Sequence, residues 1–447
     1  MINQITLPNS NTFFVEQNIN FSQWLDSVNY HRSCFANNPG TTWVLYCDDA
    51  YQFSVLFFSL LTANKKIILP QNGTTNQLQF CMELADGFTG TADVHAKNIV
   101  SYCPVGSLSL ESPLSIDSNT DITLFTSGST GEAKAINKTF QHLLTEVTQL
   151  ETCFGKTLGN STVVSTVSHQ HIYGLLVKLI WPIWFGRDVL LQPYEYPEHL
   201  CYDFDKYKLK EITLVSSPAH YHRLIKDNVY RDISENMCAL FSSGGPLNEE
   251  ASQQLEVQLG QSPFEIYGST ETGGIAWRQR SQGQNNHWQP FSDIELSAQT
   301  ETQCLMLKSP YFDHEGWYIT DDQIKIDVAG RFELLGRVDR IIKIEEKRVS
   351  LDHVQQCLKS LDFIDDAFCL VKMNKRGSQI VAAIVLTEEA KNELLNSRNL
   401  LFNRKIKSYL IHDLEAIAIP KKFRYLPSLP YNSAGKLNKL AMEKLFE

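Results

Sequence analysis

Short apolar segments rich in β-branched residues alternate with longer amphipathic segments through most of the chain. The apolar segments, each followed by a turn rich in serine, glycine or proline, predict strands at residues 121–125, 162–167, 211–215, 238–241 and 264–267. Apolar positions spaced three to four residues apart predict helices at 218–225 and 247–259. Strand, turn and helix in this alternation indicate an α/β fold with a largely parallel sheet. Ligands of such sheets bind at the loops that leave the carboxyl ends of the strands.

The C-terminal part of the chain has a different pattern. A helix predicted at 350–361 precedes two alternating strands at 367–372 and 379–386, and a last strand is predicted at 423–425. Helices and strands in this order favour a compact α+β unit that is separate from the α/β part.

The boundary between the two patterns gives the expected domain organisation. A chain of 447 residues is long enough for about two to four structural units, each with its own core. We expect a large domain over residues 1–336 and a small domain over 340–447, with a hinge at about 337–340. The sequence contains no internal repeat.

Composition excludes several classes of protein. With 43% hydrophobic and 20% charged residues, the chain is not collagen-like, a coiled coil or mainly disordered. The ten cysteines form no C-x-x-C pair and no Cys/His cluster at zinc spacing, so we expect reduced thiols, no structural zinc and a cytoplasmic protein. The apolar runs at 55–63 and 175–185 are short or interrupted, and the N-terminus lacks a leader pattern, so neither a membrane span nor secretion is expected.

The charge is unevenly distributed. The chain carries a net charge of −10, which argues against a nucleic-acid partner. Residues 331–447 nevertheless hold 21 Lys and Arg against 15 Asp and Glu. This segment therefore either meets an anionic partner or forms a solvated surface of mixed charge, and the sequence leaves both interpretations open.

The sharpest local motif follows the strand predicted at 121–125. It combines hydroxyls, glycines with free backbone N–H groups and a closing lysine, which suits phosphate oxygens; its residues are Thr126, Ser127, Gly128, Ser129, Thr130, Gly131, Glu132, Ala133 and Lys134. The spacing does not fit a Walker A loop. A plain polar turn between two strands is the structural alternative.

This motif and six further segments, in the same order, resemble the adenylate-forming superfamily of acyl-CoA and aryl-CoA synthetases, luciferases and peptide-synthetase adenylation domains. The resemblance runs from about residue 120 to the end of the sequence. It implies a large N-terminal α/β domain of several sheets, with an abbreviated N-terminal part, followed by a small C-terminal α+β lid. The six segments are 171–174 (HIYG), 242–247 (SSGGPL), 267–271 (YGSTE), 316–322 (GWYITDD), 336–339 (GRVD) and 430–436 (PYNSAGK).

The resemblance implies a nucleotide site in the large domain. The glycine-rich loop with Lys134 would bind the phosphates of ATP, and the ring of Tyr267 would stack on adenine. Thr270 would bind the α-phosphate, and Glu271 would hold Mg²⁺ between phosphate oxygens. The small residues that complete the implied nucleotide site are Gly244, Gly245, Gly268 and Ser269.

Four further residues take their expected roles from the resemblance. Asp322 would accept hydrogen bonds from both ribose hydroxyls, which suits a carboxylate, and Arg337 would also reach the ribose. Asp339 matches the family's hinge, and Lys436 would contact the acyl carboxylate and the α-phosphate as charge develops. Taken singly, each has an ordinary alternative as a turn aspartate, a surface ion pair or a solvated lysine.

The substrate region is implied by His171 and the turn at 242–245, which resemble the family's acid pocket. Members that activate amino acids typically place an aspartate in this region, and residues 169–174 contain none. The aromatic residues Tyr173, Trp181 and Trp184 favour an aromatic or aliphatic acid, although some of these rings must belong to the core.

Three departures from the family pattern leave open the identity of the thiol that accepts the acyl group. Asp321 and Glu346 stand where glycine is usual, and Asn432 replaces a threonine near Lys436. We expect an ATP-dependent ligase that forms an acyl adenylate with release of pyrophosphate and transfers the acyl group to the thiol of CoA. The alternatives are transfer to the phosphopantetheine arm of an acyl carrier protein, or a non-catalytic protein that binds nucleotide or acid on the same scaffold.

Overall fold

The computed structural model of the chain describes residues 4–8, 10–104, 114–127, 133–227, 229–281, 287–344, 347–374, 377–396, 399–431 and 437–446. The chain divides into two compact units. The first unit comprises Met1–Glu295 and Lys308–Glu315, and the second comprises Leu296–Leu307 and Gly316–Glu447.

The first unit is built around a nine-stranded sheet. Its central strands are parallel, and antiparallel neighbours join at both ends. From one edge to the other the strands are Gln289–Pro290, Gly273–Gln279, Phe264–Ser269, Met237–Ser242, Ile212–Ser216, Thr162–Ser165, Val189–Pro193, Phe13–Phe14 and Ile19–Asn20. Ile212–Ser216 is buried along its whole length, as a central strand of a parallel sheet requires.

A second, six-stranded sheet in the same unit contains the two strands that flank the glycine-rich motif. Its strands in spatial order are Ala133–Thr139, Asp121–Ser127, Lys66–Leu69, Thr42–Tyr46, Gly87–Gly90 and Ile99–Val100. The first two strands are antiparallel to each other, and the other pairings are parallel. A small two-stranded sheet pairs Gln4–Thr6 with Ser115–Asp117.

Helices connect these strands. None of the helices within the described ranges is long and apolar enough to cross a membrane. In the first unit the α-helices are Phe21–Ala36, Ala50–Thr62, Thr75–Met82, Phe140–Leu158, Ile172–Gly174, Trp181–Phe185, Pro197–Tyr207, Pro218–Asp227 and Glu249–Leu259, with a π-helix at Leu175–Ile180 and a 3₁₀-helix at Val229–Asn236.

The strands and helices predicted in the first unit are present, and the α/β fold class is confirmed. All five predicted strands agree with observed strands to within two residues at each end. The second predicted helix begins at Glu249 instead of residue 247, because the side chain of Asn248 accepts a hydrogen bond from the backbone N–H of Ala251 at 2.7 Å and caps the helix there.

The second unit contains three smaller sheets. Four strands form one antiparallel sheet: Glu295–Ala298, Cys304–Lys308, Tyr318–Ile326 and Phe332–Arg337. A hairpin pairs Ile341–Ile344 with Lys347–Ser350, and a three-stranded sheet is formed by Ile364–Asn374, Gly377–Leu386 and Lys422–Leu426. The helices are a 3₁₀ turn at Val338–Arg340 and α-helices at Leu351–Lys359, Glu388–Asn396, Asn399–Leu410 and Lys439–Lys444.

The C-terminal α+β part has its own core, as its sequence pattern predicts. Buried residues from the hairpin, the three-stranded sheet and the helices Leu351–Lys359 and Asn399–Leu410 pack together, among them Val354, Ile384 and Ile406. The division into units groups the four-stranded sheet with this part. The predicted hinge at 337–340 stays a prediction, because packing within a unit does not show which residues move.

A buried ion-pair group fixes the strand that leads to the predicted adenine site. Glu265, 4% exposed, accepts hydrogen bonds from Arg278 at 2.9 Å and Arg280 at 2.7 Å. Both arginines belong to or directly follow the neighbouring antiparallel strand. Since removing the carboxylate would take the shared counter-charge from both guanidinium groups, this group ties the two strands together.

We expect Glu265→Ala to lower the free energy of unfolding of the first unit by about 3 kcal/mol, because two guanidinium groups would lose their shared carboxylate. Urea unfolding followed by tryptophan fluorescence measures this, since six of the seven tryptophans lie in the first unit. Glu295→Ala, which removes an exposed pair with Lys308, is the control and should change stability by less than about 1 kcal/mol. Equal effects of both substitutions would contradict the structural role of Glu265.

Candidate active site

The carboxyl ends of the parallel strands lie along one edge of the nine-stranded sheet. The turn after Met237–Ser242 carries Gly244 and Gly245, and the strand Phe264–Ser269 leads into Thr270 and Glu271. The hydroxyl of Ser243 donates a hydrogen bond to the carbonyl of Ile266 at 2.9 Å and so joins the first turn to the neighbouring strand. The structure therefore brings two of the predicted nucleotide segments side by side.

Tyr267, Gly268 and Ser269 form the end of this strand. The ring of Tyr267 lies 5.5 Å from the ring of Trp288, centroid to centroid. Gly268 is required by the close approach of the next strand, because a Cβ there would lie 2.2 Å from the carbonyl oxygen of Gly273. The hydroxyl of Ser269 lies 3.1 Å from that of Thr272, which closes the turn that carries Thr270 and Glu271.

The glycine-rich motif joins two antiparallel strands of the six-stranded sheet. Thr126 and Ser127 end the first strand and pair with Lys134 and Ala133 on the second. The helix Phe140–Leu158 begins only after this second strand. The predicted phosphate-binding residues Gly128, Ser129, Thr130 and Gly131 lie outside the described residues.

Lys134 and Glu271 form the contact between the glycine-rich hairpin and the turn after Phe264–Ser269. The ammonium group of Lys134 donates a hydrogen bond to Oε1 of Glu271 at 2.9 Å. Burial alone would raise the pKa of Glu271, but this hydrogen bond and the charge of Lys134 lower it overall. Glu271 is therefore an ionised carboxylate at the base of the loop, which suits a cation bound to phosphates.

A magnesium ion that is bound by both the protein and the nucleotide fits this arrangement. No group of three or more His, Cys, Asp or Glu side chains that could hold a metal ion occurs among the described residues. Mg²⁺ is commonly bound by one or two carboxylates, with substrate phosphates and water as the other ligands. Glu271 can supply that carboxylate.

The predicted acid pocket is built around a tight turn after the strand Thr162–Ser165. His171 precedes the short helix Ile172–Gly174. Gly174 is needed there, since a Cβ would lie 2.0 Å from the carbonyl oxygen of Ser168. The hydroxyl of Tyr173 is buried with no hydrogen-bond partner among the described residues.

Two of the predicted pocket aromatics belong largely to the core. Trp181 is 1% exposed, donates a hydrogen bond to Glu151 at 2.7 Å and packs edge-on against Phe241. Trp184 packs against Phe140. The aromatic composition of this segment is thus explained in part by packing, whereas the buried hydroxyl of Tyr173 has no hydrogen-bond partner among the described residues.

Sequence reasoning missed Lys178, which lies in the π-helix Leu175–Ile180. It is 1% exposed, and burial lowers its pKa to about 7. Its ammonium group donates to the carbonyl of Val167 at 3.3 Å. A π-helix after a short α-helix is a known mark of functional segments, and no sequence motif signals it.

In the second unit, Arg337 lies among three carboxylates. Its guanidinium group contacts Asp339 at 2.9 Å, Asp321 at 3.1 Å and Asp322 at 3.5 Å. The hydrogen bonds that the guanidinium group of Arg337 donates to the carboxylate of Asp339 are the main cause that raises the pKa of Arg337. The structure therefore brings the predicted ribose residues Asp322 and Arg337 together with the predicted hinge residue Asp339. Lys436, Glu346 and Asn432 lie outside the described residues.

Comparison with known sequences gives a consistent result. A family model described as AMP-binding enzyme matches residues 38–296. A probable CoA ligase, CCL5, from Humulus lupulus is 28% identical over 362 residues, which cover 72% of this chain and 64% of that protein. A sulfoacetate–CoA ligase from Cupriavidus necator is 23% identical over 349 residues, which cover 71% of this chain and 66% of that protein. The chain thus spans slightly less than two thirds of the length of these curated relatives.

Solved structures share the fold over almost the whole chain. ATP-bound MatB from Rhodopseudomonas palustris superposes with a TM-score of 0.81 at 16% identity and covers 98% of this chain and 97% of its own. The o-succinylbenzoate–CoA synthetase MenE from Bacillus subtilis, in complex with ATP and a magnesium ion, superposes with a TM-score of 0.78 at 17% identity and covers 96% of both chains.

Proposed function

The chain belongs to the family of AMP-binding enzymes, within the adenylate-forming superfamily, and from this premise we propose that it is an acid–thiol ligase. It would activate a carboxylic acid with ATP to an acyl adenylate and release pyrophosphate. It would then transfer the acyl group to the thiol of CoA. The observation that carries this proposal is the contact of Lys134 with Glu271, which joins the glycine-rich hairpin to the turn beside Tyr267.

In the first half-reaction, a carboxylate oxygen of the acid attacks the α-phosphorus of ATP. The bond between that phosphorus and the oxygen that bridges to the β-phosphate breaks, and pyrophosphate leaves with the electron pair. Bound Mg²⁺ neutralises phosphate charge. Glu271 would hold the cation through its carboxylate, Thr270 would bind the α-phosphate, and Lys134 with the glycine-rich loop would hold the remaining phosphate oxygens. Positioning and charge neutralisation provide most of the catalysis.

The residues proposed to bind the nucleoside part of ATP take their roles from the family resemblance. Tyr267 offers its ring to adenine, beside the turn with Gly244 and Gly245. Asp322 accepts hydrogen bonds from the ribose hydroxyls, and Arg337 supports it. Lys436 neutralises the negative charge that develops on the acyl and phosphate oxygens.

In the second half-reaction, the sulfur of a thiol attacks the acyl carbon and AMP leaves. The basic segment 331–447 supports an anionic acceptor, because the phosphates of CoA are negatively charged. The ten cysteines of the chain are all free, which supports a reducing compartment, the cytoplasm.

Pyrophosphate release with a panel of acids tests the proposal. We expect ATP-dependent release with an aromatic or medium-chain acid, and CoA thioester formation with the same acid. Binding of MgATP without pyrophosphate release for any acid would favour the non-catalytic alternative. Pyrophosphate release followed by acyl transfer to a carrier-bound phosphopantetheine, and not to CoA, would identify the carrier protein as the acceptor.

The hinge can be tested by Asp339→Pro. Proline fixes φ near −65° and would hinder a backbone rotation at this position. We expect the variant to keep acyl-adenylate formation and to lose transfer to the thiol by at least about tenfold. Asp339→Ala is the matched control: it also removes the pair with Arg337 but leaves the backbone free. Equal loss of both half-reactions in the proline variant would place the hinge elsewhere.

A further inference from the structure

Two buried charged residues lie behind the turn that carries Glu271. Lys138, on the strand Ala133–Thr139, is 2% exposed, and Glu146, on the helix Phe140–Leu158, is 7% exposed. Neither belongs to a motif that the sequence singles out. Lys138 lies on the strand that follows the glycine-rich loop in the chain, and Glu146 lies on the next helix.

Lys138 contacts the backbone of the turn. Its ammonium group donates a hydrogen bond to the carbonyl of Tyr311 at 2.7 Å and one to the carbonyl of Glu271 at 3.2 Å. Lys134 and Lys138 are four residues apart on one strand, so their side chains leave the same face of the sheet. The first lysine therefore holds the carboxylate of Glu271, and the second holds its carbonyl group.

Glu146 contacts the other side of the same turn. Its Oε1 accepts a hydrogen bond from the backbone N–H of Gly274 at 2.7 Å. A Cβ on Gly273, whose φ is +69°, would lie 2.7 Å from Oε2 of Glu146. The carboxylate thus packs directly on the two glycines that begin the strand after Glu271.

The two charges depend on each other. Burial lowers the pKa of Lys138 and raises the pKa of Glu146, and in each case the charge of the other residue opposes the effect of burial. The two charges interact at a distance, and Oε2 of Glu146 has no hydrogen-bond partner among the described residues. Desolvation of two such charges costs free energy, and apolar residues of similar volume are often equally or more stabilising. Stability alone is thus a weak reason for the pair.

We propose that Lys138 and Glu146 are positioning residues that fix the backbone around Glu271 so that its carboxylate is held ready for the Mg²⁺ of MgATP. This inference rests on the proposed function. It identifies residues that do not touch substrate or metal themselves but hold Glu271, the residue proposed to bind the metal. Residues that orient a metal-binding side chain commonly affect metal affinity by about 10- to 100-fold.

Lys138→Met tests the proposal, with Lys65→Met as the matched control. Lys65 is also a buried lysine whose ammonium group donates to two backbone carbonyls, those of Asn38 at 2.8 Å and Gly40 at 2.6 Å. It directly precedes the strand Lys66–Leu69, and these two hydrogen bonds join it to the segment before the strand Thr42–Tyr46 and not to the turn of Glu271. Both substitutions should lower Tm.

The readout is the Mg²⁺ concentration at which, with ATP held constant, the thermal stabilisation or the pyrophosphate release reaches half of its maximum. It is measured as the rise in Tm on MgATP binding and as pyrophosphate release with the acid that the panel identifies. We expect it to rise about tenfold in Lys138→Met and to stay at the wild-type value in Lys65→Met. The same value in both variants would overturn the positioning role.

A second variant covers the case in which Lys138→Met does not fold because the buried charge of Glu146 is left uncompensated. The double substitution Lys138→Met with Glu146→Met removes both charges and leaves apolar side chains of similar length. It should show the same increase in the Mg²⁺ requirement, and a wild-type Mg²⁺ requirement would overturn the proposal. Failure of the proposed function itself is distinct: wild-type protein would then neither gain stability from MgATP nor release pyrophosphate.

Discussion

Replacement of Glu271 by glutamine is expected to reduce acid-dependent pyrophosphate release by about 100-fold or more. Glutamine keeps the size of the side chain and an oxygen that accepts from Lys134, so the turn should keep its shape. It lacks the negative charge that holds the cation against the phosphates. The effect should therefore fall on MgATP use and not on folding.

The measurement is steady-state pyrophosphate release at several Mg²⁺ concentrations, together with Tm. Glu295→Gln is the matched control, since Glu295 also pairs with a lysine at 2.8 Å but at an exposed position. Its turnover should equal that of the wild type. Turnover of Glu271→Gln at the wild-type level would assign the cation to another residue.

Replacement of Lys436 by alanine is expected to reduce pyrophosphate release by at least about 100-fold, the loss typical of one preorganised electrostatic contact. The charge of Lys436 is needed where a carboxylate attacks a phosphate, because negative charge accumulates there. Transfer from a preformed acyl adenylate to the thiol lacks that requirement and should fall much less. The two half-reactions are measured separately, with pyrophosphate release for the first and thioester formation for the second.

Lys439→Ala is the control for Lys436→Ala, because it removes a lysine three residues further along the chain at the start of the helix Lys439–Lys444. It should leave pyrophosphate release within a few-fold of the wild type. Unchanged release in Lys436→Ala would remove this lysine from the adenylation step.

The elements that the sequence predicted best are those with one buried face or a clear cap. The helix Leu351–Lys359 was predicted at 350–361, and it starts after Ser350, whose hydroxyl accepts from the N–H of His353 at 3.2 Å. The helix Ala50–Thr62 shows the opposite case. All its residues except Gln52 are buried, so the segment stands out only as an apolar run and has no amphipathic period.

Residues of the candidate site could be predicted where they belong to sequence motifs. They could not be predicted where only tertiary contacts place them at the site. The sequence pointed to Lys134 and Glu271, and the structure joins them across 137 positions of the chain. Lys138 and Glu146 look like ordinary surface charges, because nothing in their local pattern shows that they are buried against the turn of Glu271. Trp181 was expected near the acid, and the partner that explains it, Glu151, lies on a helix remote in sequence.

The strand Ala133–Thr139 has a second role besides contacting Glu271, since it is the last strand of the six-stranded sheet. One row of its backbone groups has no neighbouring strand within the part of the chain that the structure describes. Such edges invite pairing with other chains, and lysines along them oppose it. Lys134, 55% exposed, is such a charge. An apolar substitution there would remove protection against aggregation together with the contact to Glu271. Loss of activity in a Lys134 variant therefore reports on the nucleotide site only when the protein is shown to remain monodisperse.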